Sequence, residues 1–217
     1  MDDLLLPLFP LEVVLFPQQP FPLHIFEERY KEMIGECLAA KASGTGQQEF
    51  GVLLAQGEQL ATVGCTARIL NVTRKYEDGR MDLFTVGSRR FEILYTDEEK
   101  AYLRGGVQFF DDDPEHDLPS DASAEAAIEL FRSAMQRLRE SPEVPIHLPR
   151  PYRHLSFRIA APLPLSAEFK QEILGLRDES ERLRRVTQAI RQWLAHVERM
   201  QRARAKAGGN GNVRPEI

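Results

Sequence analysis

A serine and a lysine stand four residues apart at Ser166 and Lys170, a spacing that places both side chains on one face of a helix. A lysine beside a serine can take the proton of the hydroxyl, which is the chemistry of a Ser–Lys nucleophile. Ser166, however, follows "PLPL" and directly precedes a run of good helix formers, which is the position of an N-cap. The pattern therefore predicts a capped helix rather than a catalytic pair.

Histidine and cysteine, the usual ligands of transition metals, are few and scattered. The closest histidines, His147 and His154, flank a proline-rich break and have no carboxylate pattern beside them. Cys37 and Cys65 are far apart and form no recognisable zinc motif. The sequence therefore predicts no metal site and no cofactor, and two isolated cysteines indicate a reducing compartment.

The acidic segment "DDDPEHDLPSD", residues 111–121, has some of the composition of a calcium-binding loop. An EF-hand loop needs a central glycine and a glutamate at its twelfth position, where this chain has Ala122. Because both are missing, we interpret the segment as a solvated linker between two parts of the chain.

Other catalytic signatures are missing from the sequence. It contains no GxxxxGK[ST] phosphate loop, no GxGxxG turn, no HExxH or CxxC pair and no GxSxG nucleophile elbow. No segment brings a nucleophile, a base and oxyanion donors together. We therefore expect a protein that is not an enzyme.

The composition is that of an ordinary globular protein. The chain has 217 residues, of which 42% are hydrophobic and 28% charged, and this suits one large domain or two small ones. The formal net charge of −5 disfavours a nucleic-acid binder, which has to neutralise phosphates.

The apolar, proline-rich stretch at residues 6–30 predicts strands rather than a leader. Two aspartates replace the positive residues of a signal peptide, and the uncharged run Val13–Phe26 is interrupted by prolines and too short to cross a bilayer. Apolar residues fill the gaps between the prolines, unlike in a disordered PxxP ligand. We predict buried strands at Leu4–Phe9 and Val13–Phe16, in a cytoplasmic protein without membrane contact.

A helix and further strands complete the first half of the chain. The helix is predicted from Glu27 to about Ala40, because apolar residues recur there at helical spacing. Its apolar face comprises Phe26, Tyr30, Met33, Ile34, Cys37 and Leu38. The strands that follow include Phe50–Gln56 and a hairpin around Asp78-Gly79, and roughly seven strands are expected before residue 111.

After the acidic linker the hydrophobic period becomes helical. Helices are predicted at Ala122–Glu140, just before Pro162, at 167–175 and at 179–206, with a break at 141–151 and a disordered tail at 207–217. The last helix carries a heptad-like seam of Leu183, Val186, Ile190, Trp193, Val197 and Met200. We interpret the seam as the face that packs within its own domain, and weak self-association is the alternative. We interpret the arginines of this helix as a solvated face, and nucleic-acid binding is the alternative.

Four segments carry a resemblance to a known family. They are "LPLFPLEVVLFPQQPFPLHIFEERYKEMIGECL", "FGVLLAQGEQLATVGCTARILNV", "DGRMDLFTVGSRRFEIL" and "LSFRIAAPLPLSAEFKQEILGLRDESERLRRV". In this order they resemble the Lon protease N-terminal, substrate-binding domain, and especially the small bacterial proteins that consist of this domain alone. The resemblance covers residues 4–200, and its first segment is the most specific.

The resemblance implies an α+β fold. A PUA-like β-barrel with one helix, residues 1–115, would precede an all-helical bundle, residues 116–206, and a disordered tail, residues 207–217. It also implies recognition of unfolded or tagged protein substrates. The ATPase and Ser–Lys protease parts of Lon proteases have no counterpart in this sequence, so the implied protein is a standalone, non-catalytic module that could serve a separate ATP-dependent protease.

The resemblance further assigns signature residues, expected to be structural. These are Pro7, Phe9, Pro10, Phe16, Pro17, Pro22, Leu23, Phe26, Arg29, Tyr30, Met33, Gly64, Arg90 and Phe91. Two features depart from the family pattern: the loop "ASGTGQQE" is longer, and His24 stands where standalone members often carry arginine.

Two routes to peptide binding are open. A barrel edge could accept an extended peptide by strand addition, or a groove between barrel and helices could take apolar side chains. Candidate contacts are Phe16, Phe21 and Phe26, although large apolar residues are more often buried in a core.

RNA binding is the alternative function, because PUA-like folds often serve RNA. It would use a basic patch on the barrel half, made of Arg68, Arg74, Lys75, Arg80, Arg89 and Arg90. The opposing interpretation is a scattered, solvated set, balanced by Glu77, Asp78, Asp82 and Glu92.

Overall fold

The computed structural model describes residues 5–138 and 153–209. Strands and one helix come first: β1 Leu6–Leu11, β2 Pro20–Ile25, α1 Glu28–Ser43, β3 Glu49–Gln56, β4 Gln59–Lys75, β5 Met81–Asp97 and β6 Arg104–Phe110. Helices follow: α2 Asp121–Leu138, α3 Leu155–Ala160, α4 Ala167–Gly175 and α5 Glu179–Gly209. The predicted α+β class is confirmed, with a β part that holds one helix and a helical part after it.

Five of these strands close into a ring. β5 pairs with β4, β4 with β3, β3 with β1 in parallel, β1 with β6, and β6 again with β5. β2 lies outside the ring and runs antiparallel to Met81–Val86 of β5. Because a closed ring has no free edge, β2 provides an open edge of this sheet. The predicted barrel is confirmed.

β5 is one continuous strand of 17 residues that follows the predicted hairpin. The strand begins just after the hairpin turn at Gly79. Gly79 has a φ of 82°, a backbone conformation that glycine adopts without strain. Its first part pairs with β2 and β4, and its second part pairs with β4 and β6. One strand therefore serves both the ring and the β2 extension, and the barrel half contains six strands instead of roughly seven.

The segment Val13–Phe16 was predicted as a strand, and this is wrong. Val14, Leu15 and Phe16 are buried, but their backbone belongs to no strand. Phe16 lies against β5 at Gly87, where a Cβ atom would come within 2.0 Å of the Phe16 carbonyl oxygen. The apolar run reflects burial under the sheet, which a pattern of hydrophobicity cannot distinguish from strand pairing.

The proline-rich residues after this segment form β2 instead. Phe21, Leu23 and Ile25 face the core, while Pro20, Pro22 and His24 alternate with them on the exposed side. We did not predict this strand from the sequence, because proline cannot donate a hydrogen bond to a neighbouring strand and is found in sheets mainly on edge strands.

Helix α1 begins and ends close to the predicted bounds. Its buried side chains are Tyr30, Met33, Ile34 and Cys37, which confirms the predicted face except at its ends. Gly44, with a φ of 71°, ends the helix in the left-handed conformation. Phe26, predicted as part of this face, lies between β2 and α1 and is exposed.

The helical half follows the sequence prediction closely. The helix before Pro162, the helix of 167–175 and the long last helix are all present. The predicted break at 141–151 lies outside the described residues, as does the predicted tail from residue 210 on. Residues 207–209, predicted as tail, belong to α5.

A continuous apolar core joins the barrel to the helices. The Phe16 ring stacks on Phe157 of α3 with ring centroids 5.0 Å apart, and both side chains are fully buried. The same cluster extends from α1 to Leu183 and Ile190 of α5. The domain division at residues 115 and 116 stays a prediction, but the two parts share this core.

Candidate functional site

Ser166 and Lys170 do not form a catalytic pair. The Ser166 hydroxyl accepts a hydrogen bond from the Phe169 backbone N–H at 3.2 Å, which confirms the predicted cap of α4. The Lys170 amine donates to the Ala161 carbonyl oxygen at 3.1 Å, and burial lowers the pKa of this lysine. Both side chains thus stabilise the turn into α4.

Arg90, expected in a surface patch or as a structural signature residue, is 2% exposed and anchors a buried ion network. Its guanidinium lies 2.6 Å from Asp112 Oδ1, and Arg182 of α5 binds both Asp112 oxygens at 2.6 and 2.7 Å. Asp112 belongs to the segment interpreted as a solvated linker, and at this residue that interpretation is wrong. The segment instead fixes two buried arginines.

The network continues into the helical half through Glu179. This carboxylate pairs with Arg182 and accepts hydrogen bonds at 2.9 Å from the Ser156 N–H and hydroxyl. Arg90 and Arg182 also donate to the Leu176 carbonyl oxygen, just after α4. One polar cluster therefore joins β5, the connection after β6, and helices α3 and α5.

His154 lies beside this network but does not make it a metal centre. The ligand atoms of Asp112, His154 and Glu179 lie within 4.8 Å of one another, a separation that a cation could bridge. Both carboxylates are already bound by arginines, whose positive charges repel a metal ion. His147, the other member of the predicted pair, lies outside the described residues.

The two cysteines are buried, unpaired thiols. Burial raises the pKa of Cys37 and of Cys65 to about 12. A thiol with so high a pKa is neither a nucleophile nor a ready metal ligand at neutral pH.

Three aromatic side chains, those of His24, Phe26 and Tyr76, meet where β2 leads into α1. Phe26 is 59% exposed, and its ring stacks on His24, which in turn meets the edge of Tyr76. His24 Nδ1 donates to Asp82 at 2.6 Å, and the Tyr76 hydroxyl donates to the same carboxylate at 2.8 Å. These bonds to His24 and Tyr76 lower the pKa of Asp82 and hold the aromatic groups in place.

An apolar groove continues from these rings along the exposed side of β2 and β5. It has a volume of about 360 Å³ and is lined by four apolar residues, Pro22, Leu23, Leu83 and Phe84, and by three polar ones, His24, Thr73 and Asp82. Phe84 pairs with Pro22 across the two strands and is 38% exposed. We call this surface the β2 face and define it by Pro22, His24, Phe26, Tyr76, Asp82 and Phe84.

The predicted peptide contacts have three different environments. Phe16 is fully buried, so the structure places it in the core and away from any surface. Phe21 is partly buried and packs against the core from β2, whereas Phe26 belongs to the β2 face. The sequence analysis did not single out Phe84 or Tyr76. The alternation of buried and exposed residues along β5 could have indicated that Phe84 faces outward, and the predicted hairpin at Gly79 could have placed Tyr76 near it.

Most signature residues pack inside the molecule. Buried members are Pro7, Phe9, Phe16, Pro17, Tyr30, Met33, Gly64, Arg90 and Phe91, and partly buried ones are Pro10 and Leu23. Close packing requires glycine at position 64, because a Cβ atom there would come within 2.5 Å of the Phe91 ring. The exposed members are Pro22, Phe26 and Arg29, and the first two lie on the β2 face.

The basic residues predicted as an RNA-binding patch do not form one patch. Arg90 is buried, and the Arg89 guanidinium lies over the Phe109 ring of β6. Arg80 pairs with Asp78 at 2.6 Å. Arg89 and Arg90 are therefore separated from the other four residues of the set, Arg68, Arg74, Lys75 and Arg80, which lie on β4 and in the hairpin after it.

The last helix buries the first half of its predicted seam. Leu183, Val186 and Ile190 are at most 2% exposed and pack within the helical half, whereas Met200 is 47% exposed. Self-association through the later part of the seam stays a prediction.

The match to a known family agrees with this fold. Residues 5–192 match the family described as the ATP-dependent protease La (LON) substrate-binding domain. The chain belongs to this family. The resemblance carried by the four sequence segments is thereby confirmed, and the matched region is a substrate-binding domain.

Similar proteins show how far this likeness reaches. The Lon protease of Dictyoglomus thermophilum is 26% identical over 188 residues, and Lon protease 2 of Herpetosiphon aurantiacus is 27% identical over 194 residues. These alignments cover 84% and 86% of this chain but 24% of each relative, so the chain spans about a quarter of their length.

A solved structure agrees with the Lon likeness. The crystal structure of a Lon N-terminal domain protein from Xanthomonas campestris has 27% sequence identity and a TM-score of 0.63. The likeness covers 84% of this chain and 96% of that protein. Among the described helices of this chain, none combines the length and apolarity that crossing a membrane requires.

Proposed function

We propose that this chain is a non-catalytic module that binds exposed apolar segments of unfolded or partly folded proteins through the β2 face. Membership of the Lon substrate-binding family supports substrate binding in general. The observation that favours the β2 face is the exposure of Phe26 and Phe84 beside an apolar groove. Contiguous exposed apolar surface of this kind is typical of protein-binding sites.

Side-chain docking accounts for binding better than strand addition does. The backbone nitrogens of Pro20 and Pro22 point to the same edge of β2, because residues two apart in a strand are equivalent. Proline is tolerated in a strand where its nitrogen faces away from the ladder, so the open edge of β2 lacks two donors. A bound segment would therefore place apolar side chains in the groove instead of extending the sheet.

Binding of fluorescent apolar peptides to purified protein tests the proposal. Wild type is expected to bind with saturation, and Phe26→Ala combined with Phe84→Ala is expected to weaken binding about tenfold, the usual effect of removing interface aromatics. Leu94→Ala with Met200→Ala is the matched control, since both side chains are exposed and lie elsewhere. Equal binding by the two double variants would contradict the assignment of this face.

Substrates bound in this way would serve a separate ATP-dependent protease in the cytoplasm. The buried, unpaired cysteines fit a reducing compartment, and the relatives named above are Lon proteases. A pull-down from native lysate checks this part of the proposal. Recovery of ATPase-protease subunits with the chain supports it, and recovery of unfolded proteins or of RNA alone contradicts it.

A further inference from the structure

Asp82 fixes the position of the hydrogen on the His24 ring. Nδ1 of His24 lies 2.6 Å from Asp82 Oδ1, and hydrogen bonds from His24 and Tyr76 hold the pKa of Asp82 below its usual value. An ionised carboxylate can only accept hydrogen bonds, so Nδ1 carries the hydrogen and donates it. In the neutral imidazole the lone pair is then on Nε2, which becomes an acceptor.

This acceptor nitrogen is available to a ligand. Within residues 5–138 and 153–209, no group forms a hydrogen bond with His24 Nε2, and the side chain is 44% exposed. The ring stacks on Phe26 and meets the edge of Tyr76, and both contacts limit its rotation. Because the ring is already held in place, a ligand that bonds to Nε2 does not have to order it.

The surroundings of His24 are suited to an aromatic ring. His24 lines the groove together with Pro22, Leu23, Leu83 and Phe84. A side chain that enters this groove has to bring apolar surface, and one that also carries a donor can reach Nε2. The indole of tryptophan and the phenol of tyrosine combine both properties, whereas phenylalanine and leucine have no donor.

Charge does not select the ligand of this face. The arginines of β4 and of the hairpin each have an acid beside them: Glu49 lies opposite Arg68, Asp82 lies opposite Arg74, and Asp78 pairs with Arg80. These opposite charges balance, so neither an acidic nor a basic segment gains a general attraction. Selection then depends on the shape of the side chain and on the directed hydrogen bond to Nε2.

We propose that His24 is a specificity-determining residue of the β2 face and selects apolar segments that contain tryptophan or tyrosine. The ring would lie in the groove, and its N–H or O–H would donate to His24 Nε2. This inference rests on the proposed function and specifies its substrate class. The groove volume of about 360 Å³ is sufficient for one such side chain.

The same surroundings favour a peptide over a single-stranded nucleic acid. Binding of nucleic acid depends on an excess of positive charge that neutralises phosphates, and the charges around this face balance. A nucleic-acid platform also needs free aromatic faces for base stacking, but Arg74 and Arg80 lie against the Tyr76 ring at 4.5 and 4.8 Å. A peptide backbone is uncharged and requires neither feature.

Four fluorescein-labelled peptides that differ at one position of an otherwise apolar sequence test the proposal. The position holds tryptophan, 1-methyltryptophan, tyrosine or phenylalanine, and binding is measured by fluorescence anisotropy at pH 8, where imidazole is mainly neutral. The tryptophan peptide is expected to bind about fivefold more tightly than the 1-methyltryptophan peptide, as one net hydrogen bond of about 1 kcal/mol would produce. The tyrosine peptide is expected to exceed the phenylalanine peptide by a similar factor.

Histidine variants locate the source of the preference. His24→Phe keeps an aromatic ring but removes the acceptor, so the difference between the tryptophan and 1-methyltryptophan peptides is expected to disappear. His116→Phe makes the same change at another exposed histidine, which lies 3.7 Å from Asp178, and is expected to keep the difference. Comparison of the two peptides on each protein forms a double-mutant cycle, which isolates the hydrogen bond from other effects of the substitution. Circular dichroism melts of both variants check that the fold is retained.

The outcomes separate this inference from the proposed function. Equal binding of the tryptophan and 1-methyltryptophan peptides to wild type, or a difference that persists in His24→Phe, overturns the role of His24 and leaves apolar binding in place. Absence of binding by all four peptides overturns both. An oligouridylate that binds more tightly than the tryptophan peptide, with loss in His24→Phe, overturns the peptide class in favour of nucleic acid.

Discussion

Phe16 and Phe26 come from the same apolar stretch of sequence but have opposite environments. Phe16 is fully buried against Phe157, and Phe26 is 59% exposed on the β2 face. Hydrophobicity alone assigns both to a core or both to a surface. At the scale of single residues, packing gives the two side chains different roles, one in the core and one on the surface. Measurements of protein stability can detect this difference.

Phe16→Ala is expected to reduce the free energy of unfolding by about 3–5 kcal/mol, because it leaves a cavity between the barrel and α3. Phe26→Ala, the matched control, is expected to change it by less than about 1 kcal/mol, as surface substitutions usually do. Urea denaturation followed by circular dichroism measures both values. A Phe16→Ala protein as stable as wild type would contradict the burial of this ring.

At the scale of elements, closely packed strands require particular residues. β3 and β4 carry Gly51 and Gly64, and the ring of Phe91 from β5 fills the space beside both glycines. A Cβ at Gly64 would also come within 2.6 Å of the Val52 carbonyl oxygen, which cannot move without breaking the strand. Signature residues such as Gly64 and Phe91 thus form one packed unit.

Gly64→Ala is expected to destabilise the protein by about 1–3 kcal/mol through overpacking. Gly35→Ala provides the control, because Gly35 lies in α1 with no neighbouring atom within 4 Å of a new Cβ. Alanine favours the helix there, so this variant is expected to gain about 0.5–1 kcal/mol. Thermal melts should rank Gly35→Ala above wild type and Gly64→Ala below it, and the reverse order would refute the packing argument.

At the scale of the whole molecule, the buried ion network connects the barrel to the helices. Asp112 stands between Arg90 of β5 and Arg182 of α5, and removal of its charge leaves the buried Arg90 guanidinium without this ion pair, while Arg182 keeps its pair with Glu179. Burial raises the pKa of Asp112, but the hydrogen bonds and charges of Arg182 and Arg90 outweigh it, and the pKa lies below its usual value. Ionised Asp112 therefore stabilises the fold at neutral pH.

Asp112→Asn is expected to cost about 3 kcal/mol at neutral pH, as broken buried ion pairs do. The folded pKa is lowered, so the contribution is present above the unfolded pKa of about 3.9 and is lost as the pH falls through the folded value. The difference in Tm between wild type and Asp112→Asn should thus narrow in acid. Asp78→Asn, which breaks an exposed pair, serves as the control, and a difference independent of pH would rule out this role for Asp112.

The sequence by itself determined the local structure and the family. The spacing of apolar residues predicted α1 and the helices after residue 121, Ser166 marked the start of α4, and Asp78-Gly79 marked the hairpin. Such features depend on neighbours within a few residues along the chain, so a single sequence contains the information. The four segments likewise sufficed to identify the Lon substrate-binding family.

Tertiary structure alone decided which residues lie on a surface and which lie in the core. The strand β2, the burial of Phe16 and the ion pairs of Asp112 depend on residues far away in the sequence, at Val86, Phe157 and Arg182. The β2 face likewise assembles Phe26, Tyr76 and Phe84 from separate segments. Because burial and pairing arise from these long-range contacts, no local pattern of hydrophobicity or charge could specify them.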